Sequence, residues 1–526
     1  MSTFVSAATL LPLAANASIE EKVDGVLKPF VTWFSEKFIF YPVQLTDDIK
    51  FPIVVAWLII AACVFTIYFG FIQFRGFGVA LEVVRGKFSS KDDPGEVTHF
   101  QALSSAVSGT VGLGNIAGVG AAIAMGGPGA AFWMVVAGIL GMATKFIECT
   151  LGVKYREIDE DGVVHGGPFK YLPIAFKFLS RPVAKALTGL FAIAILLFGV
   201  AGGGMFQANQ TVVQLQNSAG GAEGPLGDGM VRLIIGIAIA LLVGLVIIGG
   251  IKSIGKVTDK LVPGMALFYI ASCLIVILGN LSYIPTALGI IFEGAFNPQG
   301  IAGGAVGVMI VGFQRSAFSN EAGIGSASIA HSAVKTRRPV SEGFVALLEP
   351  FLDTVIVCLM TALTIIIAHQ PSYQEAIDTT QAGGSVDGVT LASDAFSTIA
   401  GWWPILLTIA VVLFAFSTLI TWAYYGEKAW HFLFGRRRGT DLIYRLILMA
   451  FIVIGSVASF GQVIAFADAA LFMCAFINIL GLYILMPVVK REMKQYLADR
   501  KHGKLYELGA EDEAHLEEIR EEQGLK

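Results

Sequence analysis

The sequence is poor in charge. Only 14% of its 526 residues are Asp, Glu, Lys or Arg, whereas about 25% is usual for a soluble protein. Uncharged runs such as VVAWLIIAACVFTIYFGFI, from Val54, and LIIGIAIALLVGLVIIGG, from Leu233, approach the roughly 20 residues that cross a bilayer as a helix. The composition excludes an ordinary soluble domain and predicts an all-α polytopic membrane protein.

Several kinds of chemistry are also missing. The five cysteines, Cys63, Cys149, Cys273, Cys358 and Cys474, lie singly in apolar segments, which excludes a disulfide framework or a metal cluster. The seven histidines lack ligand spacing, and neither a GxxxxGK[ST] loop nor an HExxH motif occurs. These absences argue against ATP-driven transport and an intramembrane enzyme. We expect no catalytic residues and no cofactor.

The apolar runs predict eleven membrane spans. They are 52–72, 103–125, 129–152, 186–213, 230–250, 260–282, 302–332, 342–368, 402–426, 440–460 and 463–488. The connections alternate in charge, because 214–229, 283–301 and 369–401 contain no Lys or Arg while the others are rich in both. The positive-inside rule places the rich set in the cytoplasm. The N-terminus is then outside and the C-terminus cytoplasmic, as expected for a bacterial plasma (inner) membrane protein.

This topology divides the chain into three parts. Residues 1–50 form a periplasmic N-terminal segment, 51–490 a transmembrane transporter domain, and 491–526 a charged cytoplasmic tail. The transporter domain begins with one extra helix at 52–72. Two five-helix halves follow, at 103–282 and 302–488.

A short motif occurs once in the first helix of each half. Residues 108–114 read SGTVGLG and residues 319–325 read SNEAGIG, 211 positions apart. Gly-interrupted segments at corresponding places in two halves indicate a transporter's binding site. Because five is odd, the second half enters the membrane with opposite polarity, which is an inverted repeat. Helix-packing contacts of the small-xxx-small kind are the alternative for these glycines.

The first of these segments is predicted to be a broken helix. Backbone that is irregular at membrane depth survives only where protein, substrate or ions satisfy it. Unwinding at 109–114 would free backbone amide groups at the start of the next half-helix. These amides and the positive end of the helix dipole would form a binding site for the carboxylate of a substrate. Gly112 and Gly114 allow the substrate to approach the backbone closely. Carbonyl groups freed at the end of the preceding half-helix suit a hard cation.

Longer blocks carry a family resemblance. GTVGLGNIAGVG (109–120), GGPGAAFWM (126–134), GFQRSAFSNEAGIGSASIAHS (312–332), EPFLDTVIVCLMTAL (349–363) and FSTLITWAYYGEKAW (416–430) resemble the alanine/glycine:cation (sodium:alanine) symporter family over about residues 50–490. The resemblance implies a leucine-transporter-like five-plus-five inverted repeat with one extra N-terminal helix. It also implies a sodium site formed by the carbonyls of Ser108 and Val111 and the hydroxyls of Ser417 and Thr418. The two hydroxyls are alternatively ordinary back-bonds to the preceding helical turn.

The remaining candidate residues surround the breaks. The predicted substrate-binding set is Thr110, Gly112, Gly114, Asn115, Gln207, Phe318, Ser319, Asn320 and Trp422. Trp422 is alternatively a lipid-interface residue. Among intramembrane charges, Lys145 and Glu148 are predicted to form a structural or gating ion pair. Glu349 and Asp353, four residues apart, suit a gate, a packing role or proton coupling.

The expected function is import of small neutral amino acids (alanine, glycine, serine) by symport with Na⁺. The expected partners are therefore the amino acid, Na⁺ and the lipid bilayer, without nucleic acid. An H⁺-coupled symporter of the same fold is the alternative. An ion channel is a weaker interpretation, because two asymmetric five-helix halves do not supply repeated polar rings.

Overall fold

The structure, a computed structural model, describes residues 18–44, 50–90, 93–160, 162–247, 250–297 and 303–506. Within these ranges nearly all regular structure is helical. The exceptions are two antiparallel pairs, β1 (Pro42–Gln44) with β2 (Lys50–Pro52) and β3 (Glu157–Ile158) with β4 (Val164–His165). The all-α prediction is confirmed.

The first part of the chain contains thirteen helices among its described residues. They are α1 (Ile19–Thr32), α2 (Ile53–Tyr68), α3 (Ile72–Arg75), α4 (Phe77–Val84), α5 (His99–Thr110), α6 (Ala117–Gly126), α7 (Gly129–Lys154), α8 (Pro168–Ala175), α9 (Arg181–Val200), α10 (Gln207–Ser218), α11 (Gly229–Val246), α12 (Gly250–Gly279) and α13 (Ile284–Phe296). Two π-helical stretches, Trp33–Ile39 and Ala201–Phe206, extend α1 and join α9 to α10.

The second part, from residue 303 to residue 506, is also helical. Its helices are α14 (Gly304–Asn320), α15 (Ser326–His331), α16 (Pro339–Ala346), α17 (Leu348–Pro350), α18 (Leu359–Ala368), α19 (Pro371–Gln381), α20 (Gly388–Ser397), α21 (Trp403–Phe434), α22 (Arg438–Val457) and α23 (Phe460–Lys501). A π-helical stretch, Phe351–Cys358, joins α17 to α18.

The predicted spans agree with these helices to within a few residues at most ends. In the described part of the chain, eight helices are long and apolar enough to cross a membrane, or nine when the bent α5–α6 pair is one span. Helix α2 is shorter, and the predicted span 302–332 divides into α14 and α15. The total of eleven therefore stays a prediction. The short helices α13, α19 and α20 were not predicted.

Local sequence explains where the first broken helix begins. The Thr98 hydroxyl accepts from the Gln101 amide at 3.2 Å, and the Gln101 side-chain oxygen accepts from the Thr98 amide at 3.1 Å. This reciprocal capping box satisfies two donors that a helix start leaves without partners. It sets the first residue of α5, and hence the position of the break twelve residues later.

The breaks lie inside the helix bundle. Helix α7 packs on α14, α15 and α16, while α5 packs on α12 and α21. In the predicted N-terminal segment, Phe30 of α1 lies edge-on to Phe466 of α23 at 5.7 Å. Residues 1–17, 45–49 and 507–526, which include parts of the predicted N-terminal segment and tail, lie outside the described residues.

Candidate functional site

The first helix break lies between α5 and α6. The Val111 amide still donates to the Val107 carbonyl at 2.7 Å, but the ψ of Val111 is 89°, and the chain then runs extended through Gly112. A short 3-10 turn, Leu113–Asn115, leads into α6, and the two helix axes differ by 57°. The predicted break is confirmed, and its position is corrected from 109–114 to 111–116, because Gly109 and Thr110 are still helical.

Side-chain oxygens take the place of helical acceptors inside the break. The Gly112 amide donates to Asn115 Oδ1 at 2.9 Å, and the Leu113 amide donates to Gln207 Oε1 at 3.3 Å. Gln207 begins α10, directly after the π-helical stretch Ala201–Phe206, and its Nε2 donates to the Gly202 carbonyl at 3.2 Å. Two of the predicted substrate residues therefore accept from the amides predicted to bind a carboxylate.

The second break, Glu321–Gly325, separates α14 from α15. Glu321, Gly323 and Gly325 all have positive φ, between 57° and 92°, which is a conformation that favours glycine. Asn320 supports the turn, since its Oδ1 accepts from the Ala322 amide at 2.9 Å and its Nδ2 donates to Thr354 Oγ1 at 2.9 Å. The break begins 210 residues after the first one (321 against 111), close to the motif spacing.

The carboxylate of Asp353 joins the two breaks. Asn115 Nδ2 donates to Asp353 Oδ1 at 2.6 Å, and Ser319 Oγ donates to Asp353 Oδ2 at 2.7 Å. Thr354 Oγ1 donates to the same Oδ2 at 2.7 Å. Asp353 is fully buried, and its hydrogen-bond donors in the described part of the chain are uncharged. The sequence predicted a gate, a packing role or proton coupling for Asp353 with Glu349, but it did not predict this junction with Asn115 and Ser319.

The predicted sodium ligands come from α5 and α21. Thr418 Oγ1 donates to the Ser108 carbonyl at 3.1 Å, and Ser108 Oγ donates to the Ser417 carbonyl at 3.1 Å. The Ser417 hydroxyl donates to Phe414 O at 2.9 Å, a back-bond within its own helix. Thr421, which sequence reasoning did not select, donates to Ser108 Oγ at 3.1 Å. Ser108 and Thr418 are thus in direct contact, and all four predicted ligands are buried.

Gly112 brings the break against this hydroxyl. A Cβ atom at Gly112 would lie 2.3 Å from Thr418 Oγ1 and 3.4 Å from Gln207 Oε1. At Gly114, the corresponding atom would lie 3.5 Å from Ser319 Cα and 3.6 Å from the Phe318 ring. The glycines therefore let the break contact both α21 and the second break.

Aromatic rings pack beside the breaks. Phe318 is 4.9 Å from Phe206 and 6.0 Å from Phe198 between ring centroids, and Trp422 is 4.5 Å from Phe198. Trp422 is only 1% exposed, and its Nε1 donates to Glu321 Oε1 at 2.9 Å. The alternative of a lipid-interface tryptophan is therefore wrong. Thr110 does not reach the other site residues, since its hydroxyl lies 3.4 Å from the Ala106 and Val107 carbonyls.

The buried charges pair differently from the prediction. Lys145 Nζ contacts Glu349 Oε1 at 3.0 Å, whereas Glu148 Oε1 accepts from Asn478 Nδ2 at 2.6 Å. The predicted Lys145–Glu148 pair is therefore wrong in its partner. Lys145 and Glu349 are 204 positions apart in the sequence. Spacing along the chain could therefore not predict that they are partners.

Comparisons with known proteins identify the family and the fold. The sodium:alanine symporter family model matches residues 38–509. The sodium/alanine symporter AgcS of Methanococcus maripaludis is 37% identical over 443 residues, covering 83% of this chain and 92% of that one. The amino-acid carrier protein AlsT of Bacillus subtilis is 34% identical over 441 residues, covering 84% and 88%.

A solved structure is similar in fold. MhsT in complex with L-phenylalanine has a TM-score of 0.50 and 16% identity, covering 73% of this chain and 88% of MhsT. This likeness confirms the predicted leucine-transporter-like fold. The family match covers most of the chain and includes both breaks, Asp353 and the α21 hydroxyls. The chain is therefore a multi-pass membrane transporter that belongs to the sodium:alanine symporter family.

Proposed function

We propose that this protein is a secondary active symporter that imports small neutral amino acids (alanine, glycine and serine) together with Na⁺. The observation that carries the proposal is the contact at the first break, where the Ser108 carbonyl meets the Thr418 hydroxyl at 3.1 Å beside Gly112. We further propose that it lies in the bacterial inner membrane with its N-terminus outside and its C-terminus in the cytoplasm, as the Lys and Arg distribution indicates.

The break offers a carboxylate site. A substrate carboxylate would accept from the Gly112 and Leu113 amides in exchange for the Asn115 and Gln207 side-chain oxygens that accept from them here. These amides lie at the start of the turn into α6, where the helix dipole also favours negative charge. The exchange makes Gln207 a side chain that moves when substrate binds.

The surrounding rings favour a small substrate. Phe198, Phe206, Phe318 and Trp422 are all at least 95% buried, and ring contacts link Trp422 to Phe198, Phe198 to Phe318 and Phe318 to Phe206. An apolar site discriminates between ligands by size at about 1–3 kcal/mol per methylene group. Alanine, glycine and serine fit this constraint better than leucine does.

The oxygen groups near Ser108 suit Na⁺. Hard cations take carbonyl and hydroxyl oxygens as ligands, and here these would be the carbonyls of Ser108 and Val111 with the hydroxyls of Ser417 and Thr418. A tenfold Na⁺ gradient supplies about 1.4 kcal/mol. One charge crossing 100 mV supplies about 2.3 kcal/mol. Binding both ligands at one break couples them, since each orders groups that the other uses.

Proton coupling is the second candidate. It is favoured by Asp353, a buried carboxylate between the two breaks whose donors Asn115, Ser319 and Thr354 are neutral. A buried carboxylate without a charged partner is costly, and either a proton or a metal cation would relieve that cost.

Uptake into proteoliposomes distinguishes the two candidates. Purified protein is reconstituted, and ³H-alanine uptake is measured with a Na⁺ gradient alone, with an H⁺ gradient alone, and with neither. We expect accumulation only with Na⁺, and inhibition by unlabelled glycine and serine but not by leucine. Uptake that follows pH and ignores Na⁺ would assign the driving ion to H⁺ instead.

A further inference from the structure

A buried group of titratable side chains lies at the Lys- and Arg-rich ends of both broken helices. It consists of His99 at the start of α5, His331 at the end of α15, Glu342 in α16, Glu349 in α17 and Lys145 in α7. We call these five residues the histidine cluster. Each is at most 3% exposed, so none of their charges is screened by water. Neither the sodium site nor the substrate site uses them.

Glu342 lies between the two imidazole rings. Its Oε2 contacts His99 Nδ1, and its Oε1 lies 2.5 Å from His331 Nδ1. A carboxylate oxygen and an unprotonated ring nitrogen would oppose lone pairs at such distances, so each contact holds one proton. Each ring therefore carries one proton on its Nδ1 atom. A neutral imidazole has one N–H group, so both rings can meet this requirement without being charged.

The far side of the His331 ring has a place for a third proton. His331 Nε2 is 3.6 Å from Glu349 Oε2. Both atoms are buried and make no hydrogen bond in the described part of the chain, whereas Glu349 Oε1 contacts Lys145. When Nε2 is unprotonated, its lone pair opposes a buried carboxylate. When it is protonated, the imidazolium pairs with Glu349 on one side and Glu342 on the other.

The charges nearby also favour this proton. The groups that interact electrostatically with the cluster from the helices and loops packed around it are Glu148, Cys149, Arg156, Glu321, Asp353 and Tyr425. Within the histidine cluster itself, with both rings neutral, the two carboxylates of Glu342 and Glu349 outnumber the single cation Lys145. A buried excess of negative charge is unfavourable, so binding one proton lowers its cost.

The same region joins the two broken helices through their backbones. The Ala333 carbonyl, just after α15, accepts from the Glu96 amide at 2.7 Å, and the Val97 carbonyl, just before α5, accepts from the Lys335 amide at 2.7 Å. His99 and His331 flank these bonds on the two segments, and Glu342 holds both rings. Whatever weakens the His331 contacts therefore loosens α15 where the two broken helices meet.

We propose that His331 Nε2 and Glu349 Oε2 form a proton-binding site, and that a bound proton holds the intracellular side of the transporter closed by tying α15 to α16 and α17. Loss of the proton leaves a lone pair against a carboxylate and favours opening toward the cytoplasm. This proton site shares no residue with the proposed Na⁺ and substrate sites. The proposal is therefore independent of which ion or amino acid the protein transports.

Cys149 provides a natural probe of this closure. It is buried beside Ala327 of α15 and Ala346 of α16, so an alkylating reagent reaches it only when these helices separate. Cys63, on α2, is half-buried and lies outside this contact. Between about pH 6.5 and 8.5 both thiols stay mostly protonated, because burial disfavours the thiolate, so their thiolate fractions rise in parallel. The ratio of the two rates then reports the opening alone.

The experiment uses the full chain in lipid nanodiscs, N-ethylmaleimide and mass spectrometry of the Cys149 and Cys63 peptides. In the wild type we expect the Cys149/Cys63 rate ratio to rise about fivefold or more from pH 6.5 to 8.5, because the carboxylates of Glu342 and Glu349 on the two sides of the His331 ring hold its proton above the pH range of an ordinary imidazole. In His331→Gln the ratio should be high at all pH values. His431→Gln, a histidine at the end of α21 that pairs with Asp441 at 2.9 Å, should behave as the wild type.

The wild-type measurement tests the proposal even if a variant fails to fold. A wild-type ratio that does not change with pH would overturn the proposal. A pH dependence that persists in His331→Gln would also overturn it, because the titrating group would then be another residue.

Discussion

Gly112 is a residue at which one added methyl group would displace a proposed ion ligand. A Cβ atom there would lie 2.3 Å from the Thr418 hydroxyl oxygen, which itself donates to the Ser108 carbonyl. We expect Gly112→Ala to weaken alanine binding at least about tenfold, or about 1.4 kcal/mol, because both proposed sites lose their geometry. Binding is measured by scintillation proximity with ³H-alanine in saturating Na⁺.

Gly118 is the matched control for that change. It lies in α6, six residues further along the same buried segment, and a Cβ atom there would meet no atom within 4 Å. Gly118→Ala should therefore bind alanine as the wild type does. Equal losses in the two variants would mean that helix flexibility, and not the space beside Thr418, explains the first result.

We expect a substitution at Thr418 to change the Na⁺ dependence of alanine uptake more than its maximal rate. We expect Thr418→Ala to raise the Na⁺ concentration for half-maximal alanine uptake by about tenfold or more, with little change in the maximal rate, since a ligand oxygen is lost. Thr418→Ser should restore the wild-type value. Thr188→Ala removes a buried hydroxyl that only back-bonds to Ala184, and it should leave Na⁺ activation unchanged. An unaltered Na⁺ dependence in Thr418→Ala would remove this hydroxyl from the site.

At the scale of single elements, the π-helical stretch Phe351–Cys358 explains why Asp353 reaches both breaks. Asp353 and Cys358 are five residues apart, and both contact Asn115 and Ser319. Residues five apart share a face in a π-helix, whereas in an α-helix they diverge by about 140°. The stretch therefore presents two polar groups to the same point.

Asp353→Asn tests the junction that this element forms. An asparagine side chain has one acceptor oxygen and an NH₂ donor in place of two acceptor oxygens, so Asn115, Ser319 and Thr354 cannot all go on donating to it as they donate to Asp353. We expect alanine uptake to fall at least about tenfold, while Cys358→Ala changes it less than about twofold because a thiol is a weak acceptor. Uptake by both variants is measured in proteoliposomes after reconstitution is normalised. Full activity of Asp353→Asn would show that the charge is dispensable.

Sequence periodicity predicted regular elements well and irregular ones poorly. Most span ends and both breaks follow from apolar runs and from glycines that lipid would not tolerate, and these agree with the structure within a few residues, while the count of eleven spans stays a prediction. The π-helical turns leave no such pattern, so the reach of Asp353 could not be predicted. Lys145 pairs with Glu349 across 204 residues, and spacing along one helix cannot identify a partner on another.

At the scale of the whole molecule, one guanidinium group links the segments at the Lys- and Arg-rich ends of the two broken helices. Arg156 donates to the carbonyls of Ser332 at 2.7 Å and of Val334, on the segment after α15. It also donates to Pro94 at 2.7 Å and to Thr336 at 2.8 Å. The planar group thus spans the ends of both broken helices, which a lysine ammonium with three donors on one atom cannot do.

Arg156→Gln should therefore loosen this side at every pH. We expect N-ethylmaleimide to alkylate Cys149 at least about fivefold faster than in the wild type, because up to four hydrogen bonds from a charged donor are lost at about 1.5–3 kcal/mol each. The His331→Gln variant differs from the wild type mainly at low pH, so the pH profile separates the two effects. Arg232→Gln is the control, since Arg232 contacts Glu20 and the Ser456 carbonyl on the opposite side. Equal acceleration in Arg156→Gln and Arg232→Gln would indicate general destabilisation, and closure would then not depend on Arg156 in particular.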